Sequence, residues 1–403
     1  MLHSYAFANF RSFRSRVEVS FLLNEKDAVK SWETTSASGH RLTTALAVFG
    51  ANASGKTSLL QPLAFLAWFV PHSFSLKPDA PIPISPHFAA RKEPTEFEVV
   101  VDAVEPGMLW RYRLSLTRER VLAETLERKK AGGRWQRVFD RQWTADERYD
   151  VKQNEFGLDA AQAAAVRPNV SLISWAIQFD VQLAKQLCDI RIFANINSGG
   201  RVAHRADTLN RVAELFQAMP ELQAQIRDLL SSWDLGIDDI VAREVEVEQA
   251  DPSGGEIVTK QVWRLFGVHR RGTETYELPF SEESSGTRAA FILLAHFLPA
   301  LQLGALIVYD ELDSDLHPLL IPEIVGLFSK PEINRNRAQI IFTCHSPEIL
   351  RRLQKSQIML VEKNSLESRS WRLDSVKGVR SDENRLAKYL AGEYGGVPRV
   401  SRR

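Results

Sequence analysis

The chain has 403 residues, of which 44% are hydrophobic and 25% are charged. This composition is that of an ordinary globular protein with room for one large domain or two smaller ones. Its 51 basic and 50 acidic residues nearly cancel, which excludes a global attraction to nucleic acid or to an anionic membrane.

The first ten residues lack the basic and apolar segments of an export signal, so a cytoplasmic location is expected. Cys188 and Cys344 are too few for a disulfide framework or a zinc site, and they fit a reducing compartment. Both are expected to be core thiols.

The N-terminal part of the chain predicts strands around a glycine-containing loop. Alternating and apolar residues predict strands at 5–10, 17–21, 45–49, 97–104, 110–116 and 135–139. A helix is predicted from about residue 56. The last three strands predict an antiparallel sheet beside the loop.

The rest of the chain predicts helices and then further strands. Apolar residues recur at three- and four-residue spacing over 159–232, which is typical of amphipathic helices. Strands are predicted at 241–247 and 261–266. The apolar run 289–309 is long enough to span a bilayer, but Gly304 divides it, so we expect a buried helix followed by a central strand.

Residues 50–57 read Gly-Ala-Asn-Ala-Ser-Gly-Lys-Thr and match the phosphate-loop pattern G-x-x-x-x-G-K-[ST] between a strand and a helix. The loop N–H groups and the helix N-terminus would bind phosphate oxygens. Lys56 would contact the β- and γ-phosphates of ATP, and the Thr57 hydroxyl would ligate Mg²⁺. The alternative is a glycine-rich turn that matches by chance. The predicted nucleotide-binding residues of this segment are Gly50, Asn52, Ala53, Ser54, Gly55, Lys56, Thr57 and Ser58.

A second apolar run, 306–309, ends in Asp310 and Glu311, as expected of a buried parallel strand that delivers carboxylates at its C-terminal edge. Asp310 is predicted to hold Mg²⁺. Glu311 is predicted to be the catalytic base that polarises the water attacking the γ-phosphate. The alternative is a solvated acidic turn, because Asp313 and Asp315 continue the negative run.

A third apolar run, 339–344, ends at His345. We predict that His345 donates a hydrogen bond to the γ-phosphate or to the attacking water, with a purely structural histidine as the alternative. Its distance from Glu311 suits one crossover helix over about 316–328.

Small polar residues precede a predicted apolar helix at 288–298. Small side chains and free N–H groups at a helix N-terminus form a second anion site, whereas the alternative is an ordinary N-cap of a buried helix. The candidate residues are Ser284, Ser285, Gly286 and Thr287.

In this order, the motifs are similar to those of ABC-class ATPases, in which the serine-glycine signature contacts the ATP of the other subunit. Several segments also resemble one group within that class: bacterial AAA-type ATP-binding proteins related to the OLD (overcoming lysogenization defect) family and to RloC- and AbiL-type phage-defence ATPases. These segments are the phosphate loop, Asn-Phe-Arg-Ser-Phe at 9–13, Glu-Ser-Ser-Gly-Thr-Arg at 283–288, Asp-Glu-Leu-Asp-Ser-Asp-Leu-His-Pro at 310–318 and Tyr-Leu-Ala-Gly-Glu-Tyr-Gly-Gly-Val-Pro at 389–398.

The resemblance implies an α/β fold, a P-loop NTPase of the ABC-ATPase type with an antiparallel β subdomain and a helical insertion. Residues 1–150 would form the N-terminal part of the ATPase head, 151–240 the helical insertion, and 241–403 the C-terminal part of the head. The resemblance is weakest from about 150 to 240.

The resemblance also implies a homodimer, possibly enlarged to a higher oligomer, with ATP and Mg²⁺ at its interface. The signature 284–287 would face the γ-phosphate bound by the partner, and Ser314 and Asp315 would lie in the loop at the dimer contact. Arg11 and Ser12 would lie near the nucleotide base or the α-phosphate, with a solvated turn as the alternative. The signature differs from the transporter sequence Leu-Ser-Gly-Gly-Gln, and the sequence does not identify the usual Mg²⁺-sensing glutamine.

Two functions are expected. The first is an ATPase that controls a separately encoded effector, a nuclease or a toxin, in antiphage defence, because 58 residues after His345 (403 minus 345) are too few for the TOPRIM nuclease of OLD proteins. The second is a RecF-like ATPase that binds nucleic acid in repair or replication. Basic residues at 128–130, Arg134 and Arg137 around Trp135 favour the second, although a solvated strand edge explains them as well.

Overall fold

The computed structural model describes residues 1–24, 31–202, 206–250 and 257–398. The chain divides into two compact units. The first comprises Met1–Arg201, Leu301–Leu312 and the chain from Val325 onward, and the second comprises Val202–Ala300 and Asp313–Ile324.

In the described residues, the strands are β1 (Leu2–Ala8), β2 (Val17–Ser20), β3 (Glu33–Thr35), β4 (Arg41–Thr43), β5 (Ala45–Gly50), β6 (Thr95–Asp102), β7 (Met108–Leu116), β8 (Val121–Lys130), β9 (Gln136–Trp143), β10 (Tyr149–Gln153), β11 (Ile192–Ala194), β12 (Ile196–Asn197), β13 (Gly200–Arg201), β14 (Asp239–Ala250), β15 (Ile257–Arg271), β16 (Glu274–Pro279), β17 (Leu306–Tyr309), β18 (Gln339–Thr343), β19 (Ile358–Asn364) and β20 (Glu367–Arg372). The α-helices are α1 (Lys56–His72), α2 (Ala160–Ala164), α3 (Leu172–Ile177), α4 (Gln182–Cys188), α5 (Ala206–Ala218), α6 (Pro220–Ser232), α7 (Ser285–Leu303), α8 (Ile321–Gly326) and α9 (Arg385–Leu390).

A six-stranded sheet in the first unit has the order β11-β17-β18-β5-β19-β20. Its first five strands are parallel, and β20 pairs antiparallel with β19. Every residue of β5, β17 and β18 is buried, which explains why these strands read as continuous apolar runs. The predicted strands at 45–49, 306–309 and 339–344 are thus confirmed, and their carboxyl ends share one edge of the sheet.

A seven-stranded antiparallel sheet has the order β10-β9-β8-β7-β6-β1-β2. It confirms the predicted antiparallel subdomain and the α/β fold class. The sequence analysis missed β8 because Glu124 and Glu127 interrupt its apolar pattern, although both side chains are buried in the structure. The basic segment 128–130 is the end of this strand.

A buried ionic cluster lies where β8 and β9 meet the start of α3. The carboxylate of Glu124 accepts hydrogen bonds from the Tyr112 hydroxyl at 2.9 Å and the Leu172 backbone N–H at 2.9 Å. The guanidinium of Arg141 lies 3.3 Å from the same carboxylate and donates to the carbonyl oxygen of Val170 at 2.7 Å. The Glu124 and Arg141 side chains are fully buried, so each charge depends on the other and on these hydrogen bonds. Burial raises the pKa of Tyr112 well above its usual value, and the nearby Glu124 carboxylate raises it further.

We therefore expect Glu124→Ala to lower the free energy of unfolding of the first unit by about 3–5 kcal/mol, because it leaves the Arg141 charge buried and uncompensated. Urea denaturation measures this change. Glu277→Ala, which breaks an exposed ion pair with Arg243, is the control and should leave the midpoint nearly unchanged. A small effect of Glu124→Ala would show that the cluster does not stabilise the sheet.

The second unit contains α5, α6, the sheet β14-β15-β16 and residues 285–300 of α7. Leu222, Ile226 and Leu230 of α6 are buried, which confirms the helical spacing seen in the sequence. Within this unit, the ring of Phe291 on α7 packs against those of Phe216 and Phe280, with centroids 5.6 and 4.8 Å apart.

The segment 151–201 differs from the expected helical insertion. Its helices α2, α3 and α4 have five to seven residues each, and they are followed by three short strands, of which β11 lies at the edge of the parallel sheet. This segment belongs to the first unit, and the division falls at Val202 rather than at residue 150. Residues 203–205 of the predicted helical stretch lie outside the described residues.

Helix α7 is long and apolar enough to cross a bilayer by length and composition alone, but 61% of its apolar window is buried inside the structure. Gly304 follows it, and β17 begins at Leu306. The expectation of a buried helix followed by a central strand is confirmed, and packing within the protein accounts for this apolar run. Cys344 is buried as expected, whereas Cys188 is half-buried, and burial raises the pKa of its thiol to about 12.

Candidate nucleotide site

The phosphate loop connects β5 to α1, as predicted. Gly55 caps the helix with φ of 110°, a backbone conformation that favours glycine. A Cβ atom at Gly55 would lie 2.6 Å from the Ser368 hydroxyl and 2.8 Å from the Ser12 hydroxyl, and one at Gly50 would overlap the carbonyl oxygen of Val361. Only glycine fits these two positions, so the loop has the close-packed shape of a phosphate cradle.

Two neighbouring segments brace this loop. The Ser368 hydroxyl on β20 donates to the carbonyl oxygen of Ser54 at 2.6 Å. The Ser368 N–H donates to the carbonyl oxygen of Ser12 at 2.7 Å. The turn that follows β1 therefore lies beside the phosphate loop, and Ser12 is next to it, as a nucleotide-contacting role requires.

Arg11 occupies the same turn with φ of 53°. Its guanidinium donates to the carbonyl oxygen of Ser198 in the hairpin β12–β13, and desolvation by burial lowers its pKa. The structure thus attaches Arg11 to that hairpin, and its predicted contact with the nucleotide remains a prediction.

Lys56 is the first residue of α1 and is buried. Its ammonium group donates hydrogen bonds to the carbonyl oxygens of Gly50 at 2.9 Å and Ala51 at 3.1 Å. These bonds fold the side chain back over its own loop, where a cation can meet phosphate oxygens.

Asp310 follows β17 and is 2% exposed. One carboxylate oxygen accepts a hydrogen bond from the Thr57 hydroxyl at 2.8 Å, and the other accepts one from the Thr343 hydroxyl at 2.7 Å. A threonine hydroxyl and a carboxylate beside a phosphate loop are the oxygen donors that suit Mg²⁺. The residues present thus fit Mg²⁺, and the role of Thr57 and Asp310 as its ligands remains a prediction.

The sequence analysis missed Asn195, which follows β11. Its side-chain amide donates to the carbonyl oxygen of Asp310 at 2.9 Å, and its amide oxygen accepts the Asp310 N–H at 2.7 Å. This pair of bonds fixes the backbone of Asp310 from the neighbouring strand. The signal in the sequence is weak, because an asparagine after a three-residue strand lacks a motif of its own.

Glu311 lies in the left-handed region with φ of 52°, an uncommon conformation for a non-glycine residue. Its N–H donates to the Thr343 hydroxyl at 2.6 Å. Thr343 therefore holds both acidic residues at once. The Glu311 carboxylate also forms an ion pair with Arg201 at the end of β13, a residue that the sequence analysis did not single out.

His345 comes two residues after the end of β18 and is exposed. β18 lies between β17 and β5 in the sheet, so His345 follows the strand that separates the acidic pair from the phosphate loop. The predicted strand-end position of His345 is confirmed, and its hydrogen bond to the nucleotide remains a prediction.

The signature lies in the second unit, at the start of α7. The Ser284 hydroxyl accepts the Thr287 N–H at 3.0 Å and lies 2.8 Å from the Thr287 hydroxyl, so Ser284 caps the helix. The buried Glu283 carboxylate lies 2.8 Å from Nε2 of His269 on β15. The cap confirms the predicted helix start, and the anion site at this helix N-terminus remains a prediction.

The loop 313–315 lies beside this helix start within the second unit. A Cβ atom at Gly286 would lie 3.2 Å from the carbonyl oxygen of Asp315, which is tight. Asp315 itself has φ of 63°. The structure therefore places together the signature and the loop of Ser314 and Asp315, two segments for which the sequence analysis predicted roles at the dimer contact.

A phosphate loop that contacts the first of two acidic residues after a buried strand, on a mainly parallel sheet with an antiparallel subdomain, defines a P-loop ATPase of the ABC type. The sequence model of the family described as "AAA domain, putative AbiEii toxin, Type IV TA system" matches residues 46–351. The match covers more than half of the chain, and the chain belongs to this family.

Two solved structures are similar to the chain at a distance. The crystal structure of the SmcHead bound to the C-winged helix domain of ScpA has a TM-score of 0.45 and 12% identity, covering 94% of this chain and 99% of that one. The structure of the recombination mediator protein RecF-ATPrS has a TM-score of 0.33 and 10% identity, covering 92% and 98%. With TM-scores below 0.5, neither supports an inference about this chain. No curated protein matches it.

Proposed function

We propose that this chain is a Mg²⁺-dependent ATPase that completes its active sites by dimerising around ATP and controls a separately encoded effector in antiphage defence. The observation that supports hydrolysis best is the hydrogen bond from Thr57 of the phosphate loop to the buried Asp310 carboxylate at 2.8 Å. It joins the two motifs that the sequence separates by 253 positions.

In this proposal, Lys56 and the loop N–H groups bind the phosphates of ATP, and Thr57 with Asp310 hold Mg²⁺. When bound, Mg²⁺ neutralises charge on the phosphate oxygens. Glu311 accepts the proton of the attacking water, and His345 donates a hydrogen bond to the γ-phosphate or to that water.

Two features support a shared site. The helix α7 begins with small residues, and Gly286 lacks a side chain that would cover its N-terminus, where an anion is favoured. The phosphate loop of the first unit has its own helix N-terminus and does not need a second one. We therefore assign residues 284–287 to the γ-phosphate of the partner subunit, with Ser314 and Asp315 at the contact between the two subunits.

The Mg²⁺-sensing glutamine expected from the resemblance has not been identified in this chain. Asn195 is a candidate for that role, because its amide is already bonded to the backbone of the metal-binding Asp310 and lies at the carboxyl edge of the parallel sheet.

The defence role rests on the family. Its description names a toxin and a type IV toxin–antitoxin system, which agrees with the resemblance to phage-defence ATPases. Co-expression with the product of the adjacent open reading frame, followed by co-purification, tests this role. A neighbouring protein that never binds the chain, with or without ATP, would contradict it.

The RecF-like alternative gains little from the basic hairpin β8–β9. Arg128 pairs with Glu155, and Arg137 lies 3.2 Å from Asp140. The Lys129 ammonium lies 4.7 Å from the centre of the Trp135 ring. Two of the five basic residues are therefore paired with carboxylates, and Lys129 lies against an aromatic ring. Strong stimulation of hydrolysis by DNA would nevertheless favour the alternative.

We expect Lys56→Ala to weaken Mg-ATP binding by about tenfold to a hundredfold, because it removes the cation that faces the β- and γ-phosphates. Titration with a fluorescent ATP analogue measures this affinity. Lys152→Ala removes an exposed lysine of β10 that pairs with Asp150 and serves as the control. Wild-type affinity in the Lys56 variant would remove the basis for the phosphate-loop assignment.

A further inference from the structure

The ion pair between Arg201 and Glu311 joins two distant segments of the first unit. Nη1 of Arg201 donates to Oε2 of Glu311, and the two side chains are 33% and 42% exposed. Because 110 positions separate them in the sequence, the fold and not local geometry brings them together.

The hairpin that carries Arg201 is itself braced. The Asn197 side-chain oxygen accepts the N–H groups of Gly199 at 2.7 Å and Gly200 at 3.1 Å, and the Gln61 amide on α1 donates to the carbonyl oxygen of Asn197 at 3.2 Å. Arg11 donates to the next carbonyl group of the hairpin. Arg201 therefore extends from a fixed support beside the phosphate-loop helix.

Arg201 and Glu311 also lie close to the points where the chain crosses from one compact unit to the other. Arg201 is the last residue of the first unit before Val202, and Glu311 is one residue before the passage from Leu312 to Asp313. The second unit holds the signature 284–287. Arg201 and Glu311 therefore each lie within two residues of a connection to the second unit.

We infer that Arg201 acts as a latch on the catalytic base: in the nucleotide-free protein it holds the Glu311 carboxylate, and productive binding of ATP releases it. This inference rests on the proposed function, because it takes Glu311 to be the base. Arg201 is a positioning residue in this scheme, since it acts on the reaction only through Glu311.

The physical reason is competition for one oxygen. A general base needs a carboxylate oxygen that faces the water it deprotonates, and in the resting protein Oε2 faces a guanidinium. ATP can release the latch only if it binds the open state more tightly than the closed one. The signature 284–287, which lies in the second unit, supplies this difference in affinity when it contacts the γ-phosphate bound by the partner subunit.

The test is the basal rate of ATP hydrolysis by the purified full-length chain. Arg201→Ala should raise kcat/KM for ATP by up to about fivefold, the range set by the strength of a partly exposed ion pair. The change should come mainly from a lower KM, because ATP no longer has to break the pair. Arg201→Lys, which keeps a charge without the planar fork, should fall between the wild type and Arg201→Ala. Glu311→Gln combined with Arg201→Ala should be inactive, because the increase acts through Glu311.

A value of kcat/KM that is unchanged or reduced in a folded Arg201→Ala protein would overturn the latch. Arg243→Ala, which breaks the exposed pair with Glu277 in the second unit, is the matched control and should keep the wild-type rate. If the wild type itself did not hydrolyse ATP, the proposed function would fail instead.

Hydrogen exchange of residues 196–201 then tests the ion pair separately from turnover. In the nucleotide-free protein, Arg201→Ala and Glu311→Gln should speed this exchange equally, and the double variant should show no further increase. Additive increases would show that the two side chains do not act as one latch.

Discussion

Glu311→Gln should abolish turnover while ATP affinity stays near that of the wild type. We expect kcat to fall by about a hundredfold to ten-thousandfold, because the amide can accept a hydrogen bond from water but cannot take up its proton. The Glu311 N–H is held by the Thr343 hydroxyl at 2.6 Å, a backbone contact that the substitution does not remove. Steady-state phosphate release and nucleotide titration measure the two parameters.

The Glu311→Gln protein should also accumulate as an ATP-loaded dimer, which light scattering with Mg-ATP detects. Glu332→Gln changes an exposed carboxylate outside the motifs and serves as the control. Near-normal phosphate release by the Glu311 variant would contradict its assignment as the base.

Gly286→Glu should collapse hydrolysis by roughly a hundredfold and leave ATP binding by one subunit nearly intact. Gly286 lies outside the phosphate loop, but a Cβ atom there would already lie 3.2 Å from the carbonyl oxygen of Asp315. A longer side chain would cover the N-terminus of α7, and its carboxylate would repel the anion that the helix should attract. Gly286→Ala should be milder, because it adds neither charge nor length.

Mixing two inactive chains tests whether the sites are shared. In a two-fold dimer, each site takes Lys56 from one chain and Gly286 from the other. A heterodimer of Lys56→Ala and Gly286→Glu chains then concentrates both lesions in one site and leaves the other site intact. Activity above that of either homodimer is expected.

A heterodimer of these two variants that forms but recovers no activity would mean that the sites are not shared or that they are obligately coupled. A mixture of Lys56→Ala and wild-type chains, which has one intact site, distinguishes these two explanations.

Much of the core could be predicted from the sequence. The buried strands read as uninterrupted apolar runs because the parallel sheet is covered on both faces, and the loop between β5 and α1 carries a motif whose residues are adjacent in the chain. Buried charged residues gave weaker signals, because a charge interrupts the apolar pattern by which a strand is predicted. Strand β8 was missed because buried Glu124 interrupts its pattern. Its partners Arg141, Tyr112 and the Leu172 N–H, which the sequence places far from it, explain why a carboxylate lies there.

The sequence by itself determined the phosphate loop, the acidic pair 310–311 and the strand that leads to His345, because each depends on a few consecutive residues whose backbone geometry is local. Tertiary structure alone decided that Asn195 bonds to the backbone of Asp310 and that Arg201 holds Glu311. These contacts span 115 and 110 positions. The first contact exists because β11 pairs with β17 at the edge of the parallel sheet, and strand order is set by the packing of the whole unit rather than by any local pattern.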